Sequence, residues 1–336
     1  MPAEYTPVKP PAQTPVVLSC RGLVEPSPVA TETRLRMVLL GGMLVAGKLL
    51  LLPAAGPQDI AVYPAGEAHV IFAVQKTWDD RAGTTQGSTR PFIDAVALVE
   101  RGRYLSPPPP PENGKSPAAA TSRFEAQYFA AGKKYEVYVG GEPAGTVQVI
   151  KPESIHCASL SAVVSGTGAL EDDDVRALAT SLPIPPRPPA AARRPTPEEE
   201  AAALQLAGSV FRLHGARSSV LRRIRIERLV VSDLDRDQKP ELVGSFRLLG
   251  STERTLLLVA GPDGDGFKTE LAWHYLSSGA ADDRQQRTLV DHLDLDGDGV
   301  DELIVRMEGH QDWQYGIYKR EKKRWKLVYT GGGGGC

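Results

Sequence analysis

The chain of 336 residues carries a formal net charge of −2, so no overall basic field directs it to nucleic acid. Its length is enough for about two domains. Hydrophobic residues make up 41% and charged residues 24%, which is the balance of a globular protein with a sizeable core. The 33 glycines and 28 prolines favour short strands joined by many turns.

Residues 1–56 are predicted to be a disordered extension followed by a targeting segment. The part before residue 37 is rich in proline and has no hydrophobic period. Residues 37–56 are apolar except for Lys48, and Arg34 and Arg36 precede them, which is the layout of a signal peptide or a retained membrane anchor. The alternative is a pair of buried strands in a cytosolic fold. We expect a periplasmic, secreted or membrane-anchored protein.

Residues 57–182 are predicted to form a β-rich domain that is a sandwich or a barrel. The predicted strands are 59–63, 68–75, 93–100, 134–141 and 144–150, with two more within 155–164 and 175–180. A hairpin turn is expected at 141–144, between two of these strands. The proline run 107–111 is expected to be a solvent-exposed loop.

A Pro-rich linker, residues 183–197, is predicted to be extended and mobile because it has nothing to bury. Thr196 is then expected to cap a helix that has Pro197 at its first position and Gly215 just past its end. We expect this helix to pack an apolar face on the following sheet, the face being Leu204, Ala207, Val210 and Phe211.

Residues 198–336 are predicted to form a module of this helix followed by strands. The strands 224–233, 241–249, 255–261, 267–276, 288–294, 302–307, 315–321 and 325–330 alternate with the period of a half-buried sheet. Two basic stretches, Arg222 to Arg228 and Lys319 to Lys326, are expected to be solvated strand faces with at most weak attraction for anionic polymers.

An acidic loop occurs twice in this module, each time between two predicted strands. Asp233-Leu-Asp-Arg-Asp-Gln-Lys-Pro-Glu241 aligns with Asp294-Leu-Asp-Gly-Asp-Gly-Val-Asp-Glu302. Acidic groups at positions 1, 3, 5 and 9 converge when the backbone curls around one point, and a hard cation such as Ca²⁺ prefers that all-oxygen cage. The candidate ligands are Asp294, Asp296, Asp298, Glu302 and the Val300 carbonyl in the second copy, and Asp233, Asp235, Asp237, Glu241 and the Lys239 carbonyl in the first.

The two copies are not equivalent. Position 6 of such a loop needs a positive φ, which Gly299 adopts freely and Gln238 adopts at a cost of about 1 kcal/mol. We therefore expect a cation chiefly in the second copy, the alternative being an acidic, solvated turn. An EF-hand is excluded because position 12 is Val305 or Gly244 instead of Glu, and because the flanks are strands.

The Asp-x-Asp-x-Asp-Gly run between strands resembles the FG-GAP or VCBS-type repeats of integrin-like β-propellers. The resemblance implies that the acidic side chains bind Ca²⁺ and that the metal is structural. It covers about the last third of the chain, and two repeats cannot close a propeller of about four or more blades, so an incomplete propeller-like module is expected. VALVERGRYLSPP, YFAAGKKYEVYVGGEPAGTVQV and the closing glycine run further resemble an uncharacterised family of exported bacterial proteins.

The three cysteines, Cys20, Cys157 and Cys336, form no Cys-x-x-Cys pair, which excludes a zinc ribbon. If the N-terminus is removed, Cys157 and Cys336 remain as an even pair. There are two alternatives for this pair: the cysteines form a disulfide with each other, or they are two unrelated thiols.

No zinc-protease helix, nucleophile elbow, phosphate-binding loop or dinucleotide fingerprint is present. His274 beside Trp273, and His310 near Asp312 and Trp313, either line a pocket or serve packing and surface roles. We expect a non-enzymatic extracytoplasmic calcium-binding protein that binds a protein or a glycan. The alternatives are a glycan or peptide hydrolase with its site between the domains, and a structural component of the cell envelope.

Overall fold

The computed structural model describes residues 68–79, 88–110, 116–154, 158–166, 176–186, 192–250, 252–279, 284–322 and 324–335. The targeting segment predicted within residues 1–56, the strand predicted at 59–63, and Cys20, Cys157 and Cys336 lie outside the described residues. Within the described ranges, no helix is long and apolar enough to cross a membrane.

The described part of the chain is mainly β, as predicted. Its strands are β1 (His69–Asp79), β2 (Ser88–Glu100), β3 (Arg103–Leu105), β4 (Lys134–Val139), β5 (Glu142–Pro152), β6 (Ala158–Ser159), β7 (Ser161–Gly166), β8 (Ala177–Thr180), β9 (Ile224–Ser232), β10 (Glu241–Leu248), β11 (Arg254–Asp263), β12 (Gly266–Leu276), β13 (Gln286–Leu293), β14 (Glu302–Glu308), β15 (Asp312–Glu321) and β16 (Arg324–Gly335). Its helices are α1 (Ala119–Tyr128), α2 (Pro197–Leu213) and a 3₁₀ helix, Ser218–Arg223.

Six antiparallel strands close into a barrel in the order β1-β8-β4-β5-β7-β2, and β3 extends β2 at one edge. Strand alternation places Phe72 inside this barrel, where its ring lies 5.5 Å from that of Phe129 and 4.9 Å from that of Tyr135. The neighbouring Ile71 and Ala73 face outwards into a second core. Both faces of β1 are therefore buried, which explains its nearly continuous apolar sequence.

Helix α1 lies within the β-rich region predicted at residues 57–182 and is an element that the sequence analysis did not predict. Its N-cap, Ala118, makes no side-chain hydrogen bond, and its first turn has no acidic residue, so the usual start signals are absent. The helix forms because Phe124 and Tyr128 pack into the barrel core. The proline loop before it was also predicted incorrectly, because Pro107 and Pro108 are buried.

The hairpin turn between β4 and β5 lies one residue earlier than predicted. Val139 pairs with Glu142, which leaves Gly140 and Gly141 as the two turn residues. Both have positive φ, +59° and +76°, as the tight turn of a two-residue hairpin requires. Pro143 and Ala144 therefore belong to β5.

Helix α2 confirms its sequence prediction. The Thr196 hydroxyl accepts a hydrogen bond from the Glu199 backbone N–H, the Glu199 carboxylate accepts one from the Thr196 backbone N–H, and Pro197 occupies the first turn. The helix packs on the sheet of β9–β12 through the predicted face, with Ala207 and Phe211 fully buried there.

The strands after α2 form two four-stranded antiparallel sheets of the same design. The order β12-β11-β10-β9 defines the first sheet, and β13-β14-β15-β16 defines the second, to which the short β6 adds an edge. One acidic loop joins β9 to β10 and the other joins β13 to β14. The sequence repeat therefore corresponds to a structural repeat in the described residues.

In the described residues, the barrel and the two sheets pack against one another as layers that share cores. Leu178 and Val96 of the barrel meet Ile304 and Ile317 of the β13–β16 sheet. The opposite face of that sheet packs on the β9–β12 sheet, which in turn packs on α2. The predicted division into residues 57–182 and 198–336 stays a prediction, and the two parts have a common core.

Arg193 of the predicted linker is held in place. Its backbone forms a β-bridge with Val231, and its guanidinium pairs with the Glu199 carboxylate at 2.6 Å. At this residue the backbone and the side chain are both bonded, and the mobility expected of the linker as a whole stays a prediction.

The glycine run at the end of β16 is a packed strand. Gly334 and Gly335 pair with β15 and β6, and Tyr329 donates a hydrogen bond to the Val96 carbonyl of the barrel at 3.0 Å. A Cβ built on Gly332 would lie 2.2 Å from the Ala95 carbonyl oxygen. The backbones approach too closely for any side chain at this position.

Candidate metal centres in the acidic loops

The first acidic loop brings three of its predicted ligands together. Carboxylate oxygens of Asp233, Asp235 and Glu241 all lie within 4.8 Å of one another. Asp233 Oδ2 accepts a hydrogen bond from the Gln238 N–H at 2.9 Å, and Glu241 Oε2 accepts one from the Leu234 N–H at 3.0 Å. Each of these two carboxylates is fixed through one oxygen, which curls the loop around the cluster.

The second loop repeats this geometry position by position. Oxygens of Asp294, Asp296 and Glu302 again lie within 4.8 Å of one another. Asp294 Oδ2 accepts a hydrogen bond from the Gly299 N–H, and Glu302 Oε2 accepts one from the Leu295 N–H, both at 2.8 Å. These two bonds are common to both copies, which indicates that the curled shape is encoded by the repeat, and Asp294 Oδ1 accepts a further bond from the Gly297 N–H at 2.6 Å.

The position-5 aspartates are not part of these clusters. Asp237 accepts a hydrogen bond from the Lys239 N–H at 2.8 Å, and Asp298 accepts one from the Val300 N–H at 3.0 Å. These bonds shape the second half of each loop, and both aspartates are exposed. The carbonyl ligands at Lys239 and Val300 stay predictions.

The backbone conformation at position 6 is as predicted. Gly299 has a φ of +98° and Gln238 a φ of +68°. The alignment also places Gly297 opposite Arg236 at position 4, and both have positive φ, +80° and +60°. The first copy thus holds two non-glycine residues in the left-handed region, where each is strained by roughly 1 kcal/mol.

Each cluster contains a buried carboxylate oxygen without a hydrogen-bond partner. These atoms are Asp233 Oδ1 in the first loop and Glu302 Oε1 in the second, although the latter lies 3.6 Å from the Lys319 ammonium. Burial raises the pKa of Glu241 to about 7 and that of Glu302 to about 8. Buried carboxylates with unused oxygens fit a hard cation, which would satisfy them and hold both glutamates ionised.

Two neighbouring basic residues of β15 reach the two loops, one each. Lys319 contacts Asp296 and Asp298, the latter at 2.8 Å. Arg320 pairs with Asp235 at 2.6 Å and with Glu270 at 2.9 Å. The prediction that Lys319 to Lys326 form a solvated strand face is wrong for these two residues, because the acidic loops attract their charges inwards.

A buried polar network that the sequence reading missed joins the two loops. The Asp301 N–H donates to the Leu234 carbonyl at 2.8 Å, and both Asp301 carboxylate oxygens lie 3.2 Å from the Arg236 guanidinium. His292 Nδ1 lies 2.7 Å from Asp301 Oδ2. The only sequence signal was the extra acidic residue beside Glu302, and nothing in the sequence identifies its distant partners.

Comparisons of the chain with protein-family models, with curated proteins and with solved structures found no match.

Proposed function

We propose that the protein is a non-enzymatic extracytoplasmic binding protein whose two sheets after α2 form an incomplete propeller-like module with Ca²⁺ in the acidic loops. One observation carries the metal assignment: buried Asp233 Oδ1 has no hydrogen-bond partner among the described residues and lies in a cluster of three carboxylates. A buried carboxylate oxygen left unpaired costs several kcal/mol, and a bound cation removes that cost.

The role of the metal is structural. Each loop joins the first two strands of its sheet, and Leu234 and Leu295 at position 2 are buried in the cores on either side. A cation in each loop would neutralise the crowded carboxylates and fix the spacing of the strands that enter and leave. Because such a site is not formed in the unfolded chain, its binding free energy adds to folding stability.

Two points support the proposal that the protein is exported: the apolar segment at residues 37–56 and the Ca²⁺ affinity expected of such loops. Ca²⁺ loops of modest charge bind in the range of about 10⁻⁴–10⁻³ M, which suits the millimolar calcium outside the cytosol. Lys319 and Arg320 lower the net negative charge of the loops, which weakens cation affinity further. Both points favour an extracytoplasmic setting over a cytosolic calcium sensor.

The test is thermal unfolding of the purified protein in EDTA and in 5 mM CaCl₂, which is about 5–50 times a Kd in this range. At that ratio one occupied site stabilises the fold by about 1–2 kcal/mol, so we expect a melting temperature a few degrees higher in Ca²⁺. Asp233→Asn and Asp294→Asn should each remove part of that increase, and the double variant should remove all of it.

Asp263→Asn is the matched control, since Asp263 is an exposed aspartate in the turn between β11 and β12 and belongs to neither cluster. It should keep the full response. An unchanged melting temperature in Ca²⁺, with no heat on calorimetric titration of the wild type, would remove the metal from the proposal.

A further inference from the structure

A polar cleft lies at the end of the β13–β16 sheet opposite to its acidic loop. Two adjoining cavities of about 350 Å³ and 550 Å³ share Glu308, Asp312 and Trp313 in their walls. The loop enters β14 at Glu302, and the cleft begins where β14 ends at Glu308, so roughly 20 Å of strand separates them. The volume is that of a small-ligand site.

Arg287 is the most unusual group in the cleft wall. Its guanidinium lies 4.0 Å from the Trp273 ring centroid and 5.8 Å from that of Tyr318, and it donates a hydrogen bond to the Tyr318 hydroxyl. No carboxylate pairs with it among the described residues. Its side chain is half-buried, and this burial lowers the pKa of the guanidinium. The two rings fix the plane of a guanidinium whose remaining N–H groups are available to a ligand.

The other wall supplies acceptors and amides. Asp312 is exposed, and in the described part of the chain its carboxylate makes neither a hydrogen bond nor an ion pair. Gln285 and Gln314 are exposed beside it, and each amide both donates and accepts. The cleft therefore presents a donor-only group, an acceptor-only group and amides between two tryptophans.

We propose that this cleft binds an oligosaccharide. Sugar hydroxyls both donate and accept hydrogen bonds, so a run of them pairs with a guanidinium, a carboxylate and amides together. The C–H groups of a pyranose ring pack against apolar surface, such as the exposed Leu327 side chain in the cleft wall. The inference rests on the proposed function in that it names the ligand of the proposed binding protein.

The charge of the cleft favours this ligand over a polyanion. The Glu308 carboxylate lies 2.7 Å from the Arg306 guanidinium, so this pair carries no net charge. Arg287 and Asp312 then offset each other. Arg284 also lines the cavity of about 550 Å³, and its guanidinium lies 3.8 Å from the Glu253 carboxylate. These three pairs leave little net charge to attract a phosphate-rich ligand, whereas hydroxyl groups do not depend on a positive field.

The experiment titrates the full purified protein with cellotetraose, maltotetraose, chitotetraose and mannotetraose by calorimetry, with tetraalanine as a peptide probe. We expect at least one sugar to bind with a sub-millimolar Kd. Asp312→Asn and Gln314→Ala should each weaken that binding by about tenfold, because each removes hydrogen bonds from the site. Two surface variants outside the cleft, Asp263→Asn and Gln205→Ala, should leave the Kd unchanged.

The inference is overturned if none of the four sugars binds, if only tetraalanine binds, or if both cleft variants retain the wild-type Kd. The melting response to Ca²⁺, measured on the same samples, separates this outcome from failure of the metal assignment. Mass spectrometry of the titrated sugar completes the test: an intact sugar fits a binding protein, and shortened products would show a hydrolase that recognises sugars in the same cleft.

Discussion

The Lys319 ammonium lies among the carboxylates that a metal ion would neutralise in the second acidic loop. Its ammonium contacts Asp296, lies 2.8 Å from Asp298, and lies 3.6 Å from Glu302. A lysine and a divalent cation cannot both take the same carboxylate oxygens. The side chain therefore supports the loop when the cation is absent and competes with the cation when it is present.

We expect Lys319→Gln to lower the melting temperature in EDTA and to enlarge the increase that Ca²⁺ produces. The first effect follows because crowded carboxylates lose their counter-charge, and the second because the cation no longer competes with an ammonium. Unfolding curves across a CaCl₂ series measure both. Lys326→Gln is the control, since Lys326 pairs with Glu321 instead of the loop. A smaller Ca²⁺ response in Lys319→Gln would contradict the competition.

At the scale of single residues, the sequence predicted what is local and missed what is distant. The carboxylates at positions 1, 3 and 9 and the positive φ at Gly299 were readable because a loop of nine residues contains them. Lys319 lies 23 residues from Asp296, and Arg236 lies 65 residues from Asp301. Such pairs are set by how strands stack, which no motif encodes.

At the scale of elements, local sequence signals predicted the strands and α2 but did not predict α1. The period of two and a complete capping box predicted the elements after residue 196 to within three residues at their ends, except that β16 continues five residues beyond its predicted end. Helix α1 has no comparable start signal and exists because the barrel core accepts Phe124 and Tyr128. Helix α1 is therefore stabilised by tertiary packing and not by a local sequence signal.

Strand β16 gives a prediction at this scale, because its glycine run combines an unusual backbone with close packing. Gly332 has a φ of +60°, and its Cβ would meet the Ala95 carbonyl oxygen at 2.2 Å. We expect Gly332→Ala to destabilise the protein by at least about 3 kcal/mol, since backbone strain and a clash that no side chain can relieve act together. Chemical denaturation measures the loss.

Gly264→Ala separates the two causes. Gly264 has nearly the same φ, +59°, but no atom lies within 4 Å of its Cβ position. This variant should lose only the strain, about 1 kcal/mol. Equal losses in the two variants would mean that strain alone matters and that the contact between β16 and the barrel is looser than described.

At the scale of the whole molecule, the order in which the layers pack could not be predicted from the sequence. The alternating strands predicted that each sheet has a buried face, but they could not say which layers would meet. The partners became clear only from shared cores, such as Val96 of the barrel against Tyr315 and Ile317 of β15. The linker composition predicted separate domains, and that division stays a prediction beside the core that the two parts share.

A hydrogen-bonded chain crosses the interface between the barrel and the β13–β16 sheet. Tyr315 donates to Asp94 Oδ2 at 3.0 Å, Gln75 donates to the Tyr315 hydroxyl at 3.0 Å, and Arg306 donates to Gln75 at 3.1 Å. Burial raises the pKa of Asp94 to about 6. The folded protein therefore retains a proton on Asp94 at pH values where the unfolded chain has already released it.

The sign of the pH effect follows from that difference. Asp94 costs no stability below about pH 4, and the cost grows as pH rises to about 6 and is constant above it. Asp94→Asn keeps an acceptor for Tyr315 and removes the titration. We expect the variant to gain on the order of 2 kcal/mol over the wild type at pH 7 and to match it at pH 4. Urea unfolding at both values measures the gain, which would be absent if Asp94 were solvated.

The packing of β16 on β2 also sets an order on folding. Tyr329 and Val96, which this contact joins, are 233 residues apart in sequence. During synthesis β2 leaves the ribosome long before the strand that covers it, so its outer apolar face is exposed until the whole intervening chain has been made. Pairing over such a separation is slow, and a half-made chain would depend on chaperones or on delayed collapse to avoid aggregation.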